Sequence, residues 1–128
     1  MTMNQEIDEA ISTHIKWGLS LKDAINSEIV NVSADDISRD DICTFGKWLY
    51  SDAIPLAAKS LNEYQQVVNV HKRFHNCAAT ILSLALLGNF EEASMRMADN
   101  SDYTIASVML ILNLRLWQSK TGNVSRLQ

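Results

Sequence analysis

The stretch 60–88, SLNEYQQVVNVHKRFHNCAATILSLALLG, decides the fold. Ser60-Leu61-Asn62-Glu63 has the pattern of a capping box, a hydroxyl at the helix start answered three residues later by a carboxylate, so a helix is predicted from there to Leu87. Gly88 stands where such a helix stops. Inside it Tyr64, Val68, His71, His75, Ala78, Leu82 and Ala85 recur at steps of three and four, the spacing of a single helical face. A second stripe, Val67, Val70, Phe74, Cys77, Ile81 and Leu84, runs beside the first and makes the apolar arc wider than one seam requires. Cys77 belongs to this second stripe, points away from the histidines, and reads as packing. His71 and His75 lie on the core-facing seam one turn apart, where an imidazole without a partner costs free energy. They suit either a hydrogen-bonded core pair or two metal ligands. A zinc-protease site is excluded, because Lys72 stands where that chemistry needs a general-base Glu.

Upstream, residues from about Asn4 to Val32 place Ile7, Ile11, His14, Gly18, Leu21 and Ile25 on a bundle-type seam, with Trp17 close enough to flank the His14 ring. Asn31–Asp36 reads as a loop. Ser38-Arg39-Asp40-Asp41 resembles an N-cap, so a short second helix is expected to run through Leu49 or Tyr50, with Cys43 in its first turns. A thiol near a helix N-terminus is biased toward thiolate, the form that binds metal and reacts with oxidants; Asp40 and Asp41 oppose that bias. Taken alone, Cys43 reads more readily as a small buried thiol beside Gly46 than as a ligand. Pro55 is expected to end this region. Downstream, Asn89 with Glu92 caps a fourth helix predicted from Phe90 to about Ser119. One of its seams is Ala93, Met97, Asn100, Thr104, Ser107, Ile111 and Leu114, and another is Ile105, Val108, Leu112 and Leu116. The polar triplet Asn100, Thr104 and Ser107 suits hydrogen bonds to the imidazoles or, as readily, a solvated stripe.

The fold class expected is all-α, a four-helix bundle with a short additional helix carrying Cys43. One proline and four glycines leave few breakers, and 128 residues suit one domain. It is read as 1–128, with a core of about 4–119 and a flexible tail at 120–128. A net charge of −4 and a pI near 5.2 disfavour nucleic acid and anionic membranes as partners. The longest apolar runs fall short of the roughly 20 residues a membrane span takes. No secretory leader opens the sequence, so a cytoplasmic chain with reduced cysteines is expected.

All three histidines fall on helix seams, and one thiol lies on a short helix nearby, which makes the ligand set of a His₃Cys zinc site. Four ligands close such a site and leave no position for substrate, so an enzyme is not expected. A di-iron carboxylate bundle needs Glu three residues before His, but Ile11, Val68 and Lys72 occupy those places. A hemerythrin-like site needs more His than the chain has. Cys43 as a nucleophile lacks an accompanying Gly-rich oxyanion or phosphate loop.

His14-Ile15-Lys16-Trp17, then Cys43-Thr44-Phe45-Gly46-Lys47-Trp48-Leu49, then His71-Lys72-Arg73-Phe74-His75 resemble, in order, the HxW, C-x-x-G-x-W/L and HxxxH motifs of the chemoreceptor zinc-binding (CZB) domain. The resemblance covers roughly Asn4 to Ser119. It implies a zinc ion held by His14, Cys43, His71 and His75 in a bacterial cytoplasmic sensor that is usually a homodimer. In that family the domain serves chemoreceptors or diguanylate cyclases, whose output in chemotaxis or cyclic-di-GMP synthesis follows zinc occupancy or cysteine oxidation. No output domain is expected within these 128 residues, a departure from the family's usual arrangement. The alternative is a zinc-stapled dimerisation or adaptor bundle without sensing.

Overall fold

Gly88 ends the long histidine-bearing helix as its sequence requires. It adopts φ +84°, its N–H donates to the Ala85 carbonyl at 3.0 Å, and the Asn89 N–H donates to the Leu84 carbonyl at 2.9 Å. These are the paired bonds of a Schellman stop, which satisfy carbonyls the helix leaves over. In this computed structural model residues 3–28 and 44–127 are described, Thr44 and residues 122–127 by their backbone alone. Their secondary structure is helical throughout: α1 (Met3–Asn26), α2 (Thr44–Leu49), α3 (Leu56–Lys59), α4 (Asn62–Leu86), α5 (Phe90–Met95) and α6 (Asp102–Leu127). The all-α class holds. The described residues supply three long helices, α1, α4 and α6, with three short ones packed among them.

The helix ends differ from expectation in instructive ways. The predicted first helix ran to Val32, but α1 stops at Asn26: the Ser27 hydroxyl donates to the Asp23 carbonyl at 2.7 Å, and Glu28 turns left-handed at φ 59°. The side chain of Ser27 competes for the carbonyls that would continue the helix. The expected loop at Asn31–Asp36 and the cap at Ser38–Asp41 lie outside the described residues, as does Cys43. The capping box at Ser60 does not form. Its hydroxyl donates backward to the Ala57 carbonyl at 2.8 Å, and Leu61 occupies the N-cap of α4. Pro55 does not close α2; it starts α3 with its φ of −59°, accepting the N–H groups of Ala58 and Lys59.

The predicted fourth helix is two. After α5, Asn100 takes φ 70°, and Ser101 Oγ accepts the Thr104 N–H at 3.2 Å, an N-cap that starts α6 afresh. At its other end α6 is helical through Leu127, with Thr121 buried.

α1 and α4 both run antiparallel to α6. Gln118 Nε2 donates to the Asn4 carbonyl and to Asp8, Arg115 donates to Asp8 at 2.6 Å, and His14 meets Ser107. On the other side Tyr64 stacks on Trp117 and Phe74 on Tyr103. The buried core draws on Ile7, Ile11, Leu21 and Ile25 from α1, on Val67, Val68, Phe74, Ala78, Ile81, Leu82 and Ala85 from α4, and on Tyr103, Ala106, Leu110, Leu114 and Trp117 from α6, with Leu49, Ile54, Ala58 and Ala93 from the shorter segments. The α1 and α4 seams were read correctly. Of the two seams expected on α6, the one through Ser107, Ile111 and Leu114 turns inward, with Leu114 buried and the other two half-buried, whereas Ile105, Val108, Leu112 and Leu116 are all exposed.

Candidate metal centre

α4 presents His71 and His75 to the interior, 3 % and 7 % exposed. Their spacing of one turn brings the two Nε2 atoms to 3.0 Å, with the rings edge-on at a centroid distance of 4.5 Å. Burial at a four-residue spacing leaves each imidazole little room to turn elsewhere. A tetrahedral zinc with Zn–N of about 2.0–2.1 Å sets its nitrogen ligands roughly 3.3 Å apart. The pair therefore lies within a few tenths of an ångström of the edge such an ion needs.

α1 brings the third imidazole. The His14 ring packs edge-on against Phe74 at 4.3 Å, and its Nε2 lies 2.9 Å from Ser107 Oγ on α6. Burial first, and the neighbouring His75 second, push the His14 pKa down to about 4. The ring is thus neutral at pH 7, the state a metal ligand needs. Phe74, which follows Arg73 in the HxxxH stretch, also touches Trp17 at 5.6 Å, His75 at 5.7 Å and Tyr103 at 5.3 Å. One apolar ring thereby touches both His14 and His75 and ties them to Trp17 and Tyr103.

α2 approaches from the remaining side. Phe45 sits edge-on to His71 at 5.0 Å, Trp48 rests on Trp117 at 5.9 Å, Leu49 is wholly buried, and Tyr64 O–H donates to the Leu49 carbonyl at 3.0 Å. Three contacts to α4 and α6, with the burial of Leu49, thus fix a helix of six residues that is too short to hold itself. Of the polar triplet, only Ser107 reaches an imidazole. Thr104 donates to the Ala98 carbonyl at 2.9 Å, and Asn100 occupies the turn before α6. Cys77 packs against the core, and burial, reinforced by Asp102 and opposed by Arg73, raises its pKa, so it remains a thiol as expected.

Among the described residues, no three His, Cys, Asp or Glu side chains form a group that could hold a metal ion. The donor set nonetheless fits zinc chemically: a close imidazole pair, and a third neutral imidazole that interacts electrostatically with His75.

Comparison with known families gives one decisive match. The model of the family described as the chemoreceptor zinc-binding domain matches residues 14–82, more than half of the chain. The chain belongs to the CZB family. Zinc is therefore its expected metal, and the family is regulatory and sensory, not catalytic. Comparison with curated proteins and with solved structures yields no match. Among the described residues, no helix of this CZB chain is long and apolar enough to cross a membrane. The match begins at His14 and spans all three motifs but ends within α4, so it leaves out α5 and α6.

Proposed function

We propose that this CZB domain binds zinc through His14, Cys43, His71 and His75 and acts as a non-enzymatic, cytoplasmic regulatory module. The observation that carries this reading is the buried His71–His75 pair, with its nitrogens 3.0 Å apart, in a chain of this family. Chain connectivity supports the fourth ligand, because Cys43 precedes Phe45 by two residues and the Phe45 ring rests against His71. α2 with the residues leading into it would then complete the four-helix arrangement around the ion. Zinc, when bound, supplies a tetrahedral tie that holds nitrogen and thiolate donors from three segments together. For both His71 and His75 to offer Nε2, the proton between them would shift to a ring Nδ1; both rings must stay neutral, as His14 is, and Cys43 must ionise, so acid or chelators would empty the site.

Cys43 would also be the oxidant-sensitive group. Peroxide or hypochlorite transfers an oxygen to the thiolate and departs as hydroxide or chloride, leaving a sulfenic acid that no longer supplies an anionic sulfur. Losing that ligand frees α2, and Phe45 and Trp48 come away from His71 and Trp117. A receptor or diguanylate cyclase partner would read this change as an order-to-disorder switch.

Exposed apolar residues favour self-association as well. Ile105, Val108, Leu112 and Leu116 line one side of α6, and Ile15 and Leu19 stand exposed on α1, its neighbour. A second copy of the chain is the proposed occupant, because an isologous pairing buries the same stripe twice. A zinc-stapled adaptor without sensing would use the same surface; a cysteine that resists oxidants would favour that reading.

The deciding experiment is elemental analysis of purified protein beside His71→Ala. One zinc per chain in the wild type, lost in His71→Ala, is expected. A zinc-free wild type, or equal metal in both proteins, refutes the proposal.

A further inference from the structure

Ser107 lies outside the stretch that matches the family, yet its Oγ stands 2.9 Å from His14 Nε2 across the α1–α6 interface. The contact leaves His14 one other ring nitrogen. A neutral imidazole carries one N–H and one bare lone pair, and only the bare nitrogen binds metal. Two arrangements satisfy the contact. If the Ser107 O–H donates to a bare Nε2, the proton sits on Nδ1 and His14 has nothing to offer an ion. If Nε2–H donates to Ser107 Oγ, Nδ1 is bare and available. Only the second allows His14 to serve as a ligand while keeping the bond the fold provides.

We infer that Ser107 is a positioning residue of the zinc site: it accepts the Nε2–H of His14, fixes the tautomer, and makes Nδ1 the metal-binding nitrogen. The inference rests on the zinc reading above and adds α6 to the segments that build the centre. His14 then differs from His71 and His75, whose Nε2 atoms face each other. Phe74, edge-on to the His14 ring at 4.3 Å, obstructs the ring flip that would exchange the two nitrogens. Partners that orient a ligating His in this way typically contribute about 10–100-fold in metal affinity.

The test combines a titration with a spectroscopic signature. Metal-free wild type, Ser107→Ala and Ser107→Thr are titrated with zinc against a chelating dye. Histidine tautomers in the zinc-loaded wild type are then read from long-range ¹H–¹⁵N correlations. Expected are a proton on His14 Nε2 with metal on Nδ1, zinc affinity about 10–100-fold weaker in Ser107→Ala, and recovery in Ser107→Thr, which keeps the hydroxyl. Far-UV circular dichroism of the metal-free proteins separates this loss from misfolding, and the tautomer in the wild type needs no variant at all. Metal on His14 Nε2, or a folded Ser107→Ala that binds zinc as tightly as wild type, overturns the role of Ser107 while leaving the zinc site standing. A wild type that takes up no zinc overturns both.

Discussion

Replacing Trp117 by Phe tests whether the aromatic contacts beneath α2 hold the fold as described. Trp117 is the largest fully buried side chain, at 0 % exposure; its indole N–H donates to the Ala58 carbonyl at 3.1 Å, and its ring meets Trp48 and Tyr64. The Ala58 carbonyl also accepts the Leu61 N–H at 3.4 Å, so it is not stranded when the indole is removed. The lost hydrogen bond therefore costs about 1 kcal/mol, toward the low end of its range. Phe also lacks three ring atoms of Trp, and the burial and contacts they lose cost roughly 1.5 kcal/mol. The sum, about 2.5 kcal/mol, lowers Tm by roughly 9 °C in a chain of this length. Urea unfolding of metal-free protein followed by circular dichroism at 222 nm measures it, since fluorescence would lose its main reporter. A shift in midpoint worth less than about 0.5 kcal/mol at unchanged slope would refute the reasoning, because it would mean that α3 and α2 do not depend on this side chain.

Burial pushes the Tyr103 phenol from its ordinary 10 up to about 12. The unfolded chain therefore gives up this proton first: the contribution is fully present below pH 10 and is lost as pH rises toward about 12. Stability measured across this window should fall less steeply in Tyr103→Phe than in wild type, and equal slopes would contradict the assignment. Val108→Asp combined with Leu112→Asp should convert a dimer into a monomer by light scattering while leaving helicity intact, since both positions are exposed, at 51 % and 53 %. An unchanged mass would place the self-association surface elsewhere.

The parts of the fold legible in the sequence are those where one periodicity has no rival. In α1 the seam from Ile7 to Ile25 is unambiguous, and in α4 both stripes are apolar enough that either reading buries them. α6 offers two competing stripes. Ile105, Val108, Leu112 and Leu116 are the more hydrophobic, but the interior takes Leu114 from the other expected seam together with Tyr103, Ala106, Leu110, Asn113 and Trp117, equally well spaced and less apolar. Asn113 is tolerated there because its side-chain amide donates to the Met109 carbonyl at 2.7 Å. Hydrophobicity alone misleads where an exposed stripe is kept apolar for another purpose. The break at Asn100-Ser101 was visible as turn residues, yet it was absorbed into a longer helix because Met97 and Thr104 happen to keep the period. At the site, spacing sufficed for His71 and His75. The partner of His14 was one of three polar residues, and which one reaches it depends on the rotation of α6, a tertiary property.

The His14–Ser107 contact joins residues 93 positions apart, between the first helix and the last. All four proposed ligands precede α6 in the chain. In a growing chain the proposed donors would thus precede the wall that closes over one of them, and the centre is complete only once α6 has been made.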